Sequence, residues 1–365
     1  MKPLALLVLV LWVSLASLPG IAFAQADPKE SAAVASVQKL GGKVTFNNDK
    51  YVVAVDFSDA KIVHPADLAV LKRLSHLKEL EFIHTKAGEV AIVGDPVLEQ
   101  LGGLTQLERL DLSGTWITNT GLAHLRKLRH LKELLLSGTQ IADAGLGNLI
   151  DLAQLEGLCL NNTSVTDTGL AHLKKLPHLQ WLDLWNTRIT DAGVEHLKDL
   201  DKLEVLCLRE TDVTDAAFSS LAELGKLKIL NLHGTGITGK ELGQLRRLNE
   251  LRTLDIGGTE IDDSGMEKLG QLTQLEALNL FLAKISDEGL MRLKAMKRLK
   301  TLDLASTKVT NVGLATLEGL TELKNLAVLG TKIDAKGVKR FRAAMPGCSV
   351  YPEVGNDGAG SSQEN

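Results

Sequence analysis

The chain has 365 residues, of which 44% are hydrophobic but only 4% aromatic, and its formal net charge is −4. So few aromatic rings argue against a large globular core, and an internal repeat overrides the length-based expectation of several domains. Acidic and basic residues are nearly balanced, at 45 and 41, which argues against the clustered positive charge that a nucleic-acid partner requires.

The first 24 residues have the pattern of a secretory signal peptide. Lys2 supplies a positive charge, residues 4–13 form an uninterrupted apolar run, and residues 22–24 (Ala-Phe-Ala) match the small-residue cleavage motif. The run is short for a membrane span, and an uncleaved anchor is the alternative interpretation. We therefore expect residues 1–24 to be removed and the rest to be exported to the periplasm, the cell surface or the medium, without a membrane span.

Residues 25–50 are expected to form a linker and an N-terminal cap. The pattern predicts a helix over residues 31–40, a Gly-Gly turn and an extra strand over residues 43–46. Residues 51–106 follow as degenerate repeats. An insertion near Lys86 to Ala91 makes their second unit longer, and we interpret it as a surface bulge, with a functional loop as the alternative.

Ten strict repeats of 24 residues occupy residues 107–346. A leucine recurs at the same point of every repeat: Leu107, Leu131, Leu155, Leu179, Leu203, Leu227, Leu251, Leu275, Leu299 and Leu323. In the first repeat, Leu110 and Leu112 alternate with polar residues, which is typical of a short strand with one buried face. The column of Gly114 holds Gly or Asn in seven of ten repeats, which predicts a left-handed backbone conformation at the turn.

The second half of each repeat predicts a helical segment. Thr fills the column of Thr115 in nine of ten repeats, and we expect its hydroxyl to bond the backbone of neighbouring turns. The column of Thr118 is Thr, Ser or Asp in nine of ten, an N-cap signature. Asp or Asn follows it in eight of ten, which suits the positive end of the helix dipole. Leucines three residues apart, such as Leu122 and Leu125, then predict a short α or 3₁₀ helix.

One repeat cannot bury its leucines alone, so stacked repeats must share a continuous core. We predict an α/β solenoid, a horseshoe with a parallel sheet on its concave face and short helices on its convex face. The motif Leu-x-x-Leu-x-Leu-x-x-Thr-x-Ile-Thr-Asp-x-Gly-Leu-x-x-Leu-x-x-Leu resembles the leucine-rich-repeat family, in the 24-residue form abundant in exported bacterial proteins. It is also similar to the repeats of F-box substrate receptors, although this chain has no segment that could be an F-box. The resemblance implies a non-catalytic scaffold that binds another protein.

At the C-terminus, residues 336–344 predict a last helix, which Pro346 and Gly347 stop. A closing strand is expected in the cap formed by residues 347–352. The tail, residues 353–365, is rich in Gly, Ser and acidic residues and is expected to be disordered.

Period-two alternation places three columns of side chains on the concave face. Trp181 and Trp185 fall there in the same repeat, beside Arg209, and this is the composition of a binding hot spot. The residues predicted to contact a partner protein are Trp181, Asp183, Trp185, Val205, Arg209, Ile229, His233 and Phe281. A glycan or cell-wall polymer stacked on the two Trp rings is the first alternative, and rings that only shield the sheet are the second. An enzyme or a ubiquitin-ligase-type receptor is a remote alternative.

Repeat eight departs from the template at its turn, which reads Phe281-Leu282-Ala283. Sequence drift is the favoured interpretation, and an exposed apolar binding spot is the other.

The remaining reactive residue types do not predict a chemical site. Cys159 and Cys207 lie in one column two strands apart, about 10 Å by strand spacing, which is too far for a disulfide. With Cys348 in the C-terminal cap, we expect three free thiols. Neighbouring His172 and His196 lack a third ligand for zinc. We therefore predict no catalytic residues, no metal, no cofactor and a monomeric protein.

Overall fold

A computed structural model describes residues 28–58, 60, 64–83 and 93–352. Across these residues the chain forms one solenoid in which short strands alternate with short helical segments. The predicted signal peptide, the insertion near Lys86 to Ala91 and the predicted disordered tail lie outside the described residues.

The described residues contain a single 14-stranded sheet in which every strand pairs with the next along the chain. The first pair is antiparallel and all later pairs are parallel. The strands are β1 Lys43–Phe46, β2 Val52–Asp56, β3 Glu79–Glu81, β4 Arg109–Asp111, β5 Glu133–Leu135, β6 Gly157–Cys159, β7 Trp181–Asp183, β8 Val205–Cys207, β9 Ile229–Asn231, β10 Thr253–Asp255, β11 Ala277–Asn279, β12 Thr301–Asp303, β13 Asn325–Ala327 and β14 Ser349–Tyr351.

The helical segments lie on the opposite, convex side and are α-helical or 3₁₀. The α-helices are Pro28–Lys39, Asp95–Leu101, Asp143–Leu146, Asp167–Leu170, Asp191–Glu195, Phe218–Leu221, Asp263–Leu269, Asp287–Leu290, Asn311–Thr316 and Ala335–Ala344. The 3₁₀ segments are Pro65–Arg73, Gly121–Lys127, Leu173–Lys175, Asp215–Ala217, Leu242–Arg247, Met291–Ala295 and Leu317–Gly319. The mixture follows from leucines three residues apart, a spacing that suits the three residues per turn of a 3₁₀ helix.

The strand register confirms the predicted columns of the concave face. Leu110 of β4 lies opposite Leu134 of β5, which lies opposite Leu158 of β6, and residues on either side align in the same way. Because the repeat length never changes from β4 to β13, equivalent residues stack without a shift. The inward-facing leucines of the strands and helices are buried in one continuous core.

The turn after each strand from β4 to β13 adopts the predicted left-handed conformation. Positive φ angles occur in this column in all ten strict repeats, at Gly114, Gly138, Asn162, Asn186, Glu210, Gly234, Gly258, Leu282, Ser306 and Gly330. Leu282 is an unusual occupant, because a γ-branched side chain has no local hydrogen bond to offset the steric cost of this conformation.

The threonine column bonds within its own turn and not to the neighbouring turns. The hydroxyl of Thr115 donates to the carbonyl oxygen of Leu112, 2.6 Å away, and Thr163 and Thr187 repeat this contact with the residues three before them. The prediction of inter-repeat threonine bonds was therefore wrong. The buried hydroxyl thus finds an acceptor within its own turn, and in the first repeat it shares the Leu112 carbonyl with the backbone N–H of Thr115.

The Asp or Asn column, one residue after the N-cap position, provides the link between repeats. Its side-chain oxygen accepts the backbone N–H of the residue in the Thr118 column of the following repeat. The pairs are Asp95–Thr118, Asn119–Ala142, Asp143–Thr166, Asp167–Thr190, Asp191–Thr214, Asp215–Thr238, Asp263–Ser286, Asp287–Thr310 and Asn311–Asp334. The sequence analysis predicted only that these residues suit the positive end of the helix dipole. It did not predict that they form hydrogen bonds to the next repeat.

The predicted N-cap column is confirmed in several repeats but not in the first or the sixth, where Glu241 and not Thr238 precedes the helical segment. The hydroxyls of Thr190 and Thr310 accept N–H groups two residues later, as N-caps do. In the first repeat the helical segment begins at Gly121, with Thr120 at the N-cap, so Thr118 lies outside it.

The ends of the solenoid contain the predicted secondary structure. The helix Pro28–Lys39 and the strand β1 lie at the N-terminus, and the helix Ala335–Ala344 and the strand β14 lie at the C-terminus. Burial of Val37 and Phe341 shows that both helices cover the ends of the leucine core.

Candidate functional site

The three columns of side chains on the concave face differ in how deeply they are buried. Residues of the first and third columns, such as Val205 and Arg209, are half-buried in most repeats. The middle column is more deeply buried, because the columns on both sides flank it. What a partner can touch is therefore mostly two parallel rows of side chains, with the middle row as a floor between them.

Trp185 and Arg209 contact each other, as predicted, but both are also held by Glu210. The Arg209 guanidinium lies 5.4 Å from the centroid of the Trp185 ring. The indole Nε1–H donates to Glu210 Oε2 at 2.9 Å, and Arg209 donates to Oε1 of the same carboxylate. The hydrogen bonds from Trp185 and then Arg209 lower the pKa of Glu210. Sequence reasoning missed Glu210, which occupies the left-handed turn position next to the third column.

Trp181 is half-buried and covers its neighbour on β6. A Cβ placed on Gly157 would lie 2.0 Å from Cε2 of the Trp181 ring, so the ring occupies the space above this glycine. Val205 and Ile229 follow Trp181 in the same column in register. The three side chains form a half-buried apolar row.

Asp183 lies on the floor of the same region and binds mostly local groups. Its Oδ1 accepts the backbone N–H of Trp185 at 3.0 Å, and its Oδ2 accepts Asn161 Nδ2 at 2.8 Å. Cys159 and Cys207 flank it and are only 6% and 7% exposed. Burial, and then the negative charge of Asp183, raise the pKa of both thiols well above the ordinary range of cysteine. All three cysteines are free.

The other middle-column carboxylates repeat this local role. Asp111, Asp255 and Asp303 each accept the backbone N–H two residues later through Oδ1. Asn231 and Asn279 occupy the same column and make the same bond. The sequence analysis did not predict that these side chains hold the turn after each strand.

His233 and Phe281 approach each other across the strand between them. Their ring centroids are 6.2 Å apart and nearly parallel, with an interplanar angle of 10°. Gly257, which lies between them, leaves room for this contact, because a Cβ there would lie 2.9 Å from His233 Nδ1. The Nδ1 atom is 3.5 Å from Asp255 Oδ1. The structure thus brings together Trp185 with Arg209, and His233 with Phe281.

Several exposed apolar side chains lie outside the predicted contact set. Trp116 is 55% exposed beside the turn of the first strict repeat, and Leu282 and Leu329 are 51% and 64% exposed near the lip of the concave face. Trp116 was missed because only the three strand columns were considered. The irregular turn of repeat eight was the available signal for Leu282.

Two further observations bear on function. Among the described residues, His, Cys, Asp and Glu form no group of three or more that could hold a metal ion. No helix in the described part of the chain is long and apolar enough to span a membrane.

The repeat, the register and the turn geometry together define a leucine-rich-repeat solenoid. The family profile described as "Leucine-rich repeat region" matches residues 45–206 and 158–293. The protein belongs to the leucine-rich-repeat family, whose members are generally non-catalytic binding scaffolds.

Solved structures share this fold at low sequence identity. An internalin (inlF) from Listeria monocytogenes is similar with a TM-score of 0.61 and 21% identity, over 90% of this chain and 95% of the internalin chain. A TDR receptor has a TM-score of 0.56 at 16% identity, over 80% of this chain and 49% of its own. TLR13 in complex with ssRNA13 has a TM-score of 0.54 at 20% identity, over 73% of this chain and 38% of its own. The chain thus spans less than half of the two receptor chains, and these likenesses show the fold alone. No curated protein sequence has a significant match to this chain.

Proposed function

We propose that this protein is an exported, non-catalytic scaffold that binds another protein through the concave face of its solenoid. The observation that carries the proposal is the open sheet face, where two rows of half-buried side chains flank a floor of short polar and apolar groups. A broad, shallow and rigid surface of this kind suits a macromolecular partner better than a small substrate.

The proposed centre of contact is the region from β7 to β11. Trp181, Val205 and Ile229 supply apolar area, and Trp185 with Arg209 supplies a cation–π pair. His233 and Phe281 extend the same surface, and Asp183 lies on its floor. Because local bonds and packing fix these side chains before binding, little side-chain entropy would be lost on association.

The proposal of a non-catalytic role is supported by the state of the reactive groups. The raised pKa of the Cys159 and Cys207 thiols disfavours the thiolate that a nucleophile needs. The middle-column carboxylates bond the backbone of their own turns. Stacking of a glycan on the two Trp rings is less well supported than protein binding, since both rings are half-buried and the Trp185 N–H already has a partner.

Photo-cross-linking tests the binding face directly. p-Benzoylphenylalanine is placed at Val205 on the concave face or, as the control, at the exposed Lys174 on the convex face. The proposal predicts that the Val205 probe captures one protein from the exported fraction of the native host and that the Lys174 probe does not. The captured protein, once purified, should bind Arg209→Ala at least about tenfold more weakly than wild type. Equal capture at both positions, or unchanged affinity of the Arg209→Ala and Trp185→Ala variants, contradicts the proposed face.

Export is tested on the protein recovered from the same exported fraction of the native host. Intact mass and N-terminal sequencing of the protein recovered outside the cytoplasm should place the mature N-terminus at Gln25. A protein that keeps Met1 and stays with the cytoplasmic fraction contradicts export without affecting the binding proposal.

A further inference from the structure

The concave face carries a charge imbalance that the whole chain does not. In the three columns of β2 to β13, the acidic residues are Asp56, Glu79, Glu81, Asp111, Glu133, Asp183, Asp255 and Asp303, and the basic residues are Arg109 and Arg209. Eight carboxylates against two guanidinium groups give a formal charge of −6 with histidine neutral, whereas the whole chain carries −4. The negative charge is therefore concentrated on the face proposed to bind.

Both arginines are already paired with carboxylates, and their positive charges are included in this sum. Arg109 contacts Glu81, lies 3.2 Å from Glu133 and 3.5 Å from Asp111, and thus faces three carboxylates at once. Arg209 pairs with Glu210, a further acidic residue at the turn. At the edge of the sheet, Lys43 of β1 lies opposite Asp56 and offsets it, so the excess begins at β3, where seven carboxylates against two guanidinium groups leave a formal charge of −5.

Two of these carboxylates, Glu81 and Asp303, lie in partly desolvated positions. Burial raises the pKa of Glu81 in spite of the opposing charge of Arg109. Burial also raises the pKa of Asp303, where the charge of Asp255 acts in the same direction. A positive group that approached these side chains would be attracted more strongly than at a fully hydrated surface, since solvent screens a partly buried charge less.

From this charge complementarity we propose that the partner presents a cationic polypeptide segment, rich in Lys or Arg, to the concave face. The inference rests on the proposed protein-binding function and names the chemistry of the partner. Basic side chains would lie over the carboxylates of β3 to β5 and β10 to β12, and the apolar row at Trp181 would contact the uncharged part of the segment. The same field repels anionic polymers such as nucleic acids.

The middle column itself shows which substitution removes charge and keeps the fold, since asparagine already occupies two of its positions. Asn231 and Asn279 already make the turn hydrogen bond that aspartate makes elsewhere in the column. A variant with Asp183→Asn, Asp255→Asn, Asp303→Asn and Glu79→Gln therefore removes four negative charges and retains the turn acceptors. The matched control neutralises four exposed acidic residues of the helical side, Glu99, Asp151, Asp201 and Glu267.

The experiment measures binding of the intact protein to a synthetic peptide array whose members share length and apolar content but differ in net charge. We expect wild-type binding to rise with positive peptide charge and to fall with added salt. The concave variant should lose on the order of tenfold in affinity for the basic peptides, and the helical-side control should change little. Circular dichroism and urea midpoints of both variants establish that each is folded.

Three results overturn the inference. They are preferred binding of neutral or acidic peptides, an equal loss of affinity in both variants, and binding of spermidine as strong as that of the basic peptides. A failure of this kind leaves the proposed function standing if the Val205 probe still captures a protein. Absence of capture at Val205 removes the proposed function whatever the array shows.

Discussion

The Oδ1 atom of Asp167 accepts a hydrogen bond from the backbone N–H of Thr190, 2.8 Å away and 23 residues later in the chain. The Oδ2 atom of the same carboxylate accepts the Thr190 hydroxyl at 2.7 Å. One side chain thus satisfies two donors of the next repeat. Gly193 makes room for it, since a Cβ there would lie 2.3 Å from Oδ1. The Asp column therefore depends on the Gly column of the next repeat, which leaves room for its carboxylate.

Removal of one of these carboxylates that bond the next repeat should destabilise the solenoid measurably. We expect Asp167→Ala to lower the free energy of unfolding by about 1–3 kcal/mol, because it leaves a backbone N–H and a hydroxyl without their acceptor. Asp167→Asn should cost less, since Asn119 and Asn311 hold this position elsewhere. Urea denaturation followed by circular dichroism measures both variants. Asp201→Ala, at an exposed residue outside this column, is the control. If it lowers the free energy of unfolding as much as Asp167→Ala does, the hydrogen bonds between repeats have no specific role.

The contact of Trp181 with Gly157 predicts a second effect on stability. Gly157→Ala places a methyl group inside the space of the Trp181 ring and should cost about 1–3 kcal/mol, as overpacking does. Gly225→Ala is the control, because no atom lies within 4 Å of its added Cβ. The double variant Gly157→Ala with Trp181→Val should recover part of the loss. Additive costs in the double variant would show that the two residues do not compete for space.

The fold was predictable from the sequence to a larger extent than the site. A constant period of 24 residues fixes strand register, so the columns from Leu110 onward could be assigned before any coordinates were known. Left-handed turns could be predicted because Gly and Asn dominate one column, and the prediction holds even where Glu210 and Leu282 stand there.

The unpredicted features depend on contacts between neighbouring columns. The bond from Trp185 to Glu210 joins a strand column to a turn column of the next repeat, and reading each column by itself does not relate them. The depth of Trp181 depends on Gly157 in the preceding repeat. The direction of the Thr115 hydroxyl depends on turn geometry that a Thr column does not specify by itself.

The contacts of Glu210 predict that its carboxyl titrates at a lowered pH, and that this shift depends on Trp185. Hydrogen bonds from Trp185 and Arg209 lower the pKa of Glu210 below its ordinary 4.5. A lowered folded-state pKa means that the stabilisation is present above 4.5 and is lost as the pH falls through the folded-state value. NMR titration of the Glu210 carboxyl should therefore show a midpoint below 4.5 in wild type and a higher one in Trp185→Phe. Identical midpoints in the two proteins would contradict the hydrogen bond.

The three thiols are predicted to be unreactive in the folded protein. Burial, then the charge of Asp183, raise the pKa of Cys159 and Cys207, and burial raises that of Cys348 to about 11. Since the thiolate is the reacting form, iodoacetamide in mildly alkaline buffer should leave all three unmodified for hours and modify all three in urea. Mass spectrometry gives the count. Rapid modification of Cys159 or Cys207 in the folded protein would contradict this prediction and would favour a chemical role for the concave face.

Asp303 should be replaceable by asparagine with a gain in stability that depends on pH. Burial raises its pKa above 3.8, the hydrogen bond from the Ala305 N–H opposes this effect, and the charge of Asp255 adds to it. A raised folded-state pKa means that the folded protein holds this proton more tightly than the unfolded chain. The ionised form therefore destabilises the fold above the folded-state pKa, and this cost disappears as the pH falls below 3.8. Asp303→Asn removes the charge and keeps the acceptor, as Asn279 shows in the preceding strand. We expect a higher urea midpoint for Asp303→Asn at neutral pH and no difference from wild type below pH 3.8, whereas Asp201→Asn should leave the midpoint unchanged. A lower midpoint at neutral pH would mean that the carboxylate of Asp303 stabilises the face, and would remove the basis for treating it as an unneutralised charge.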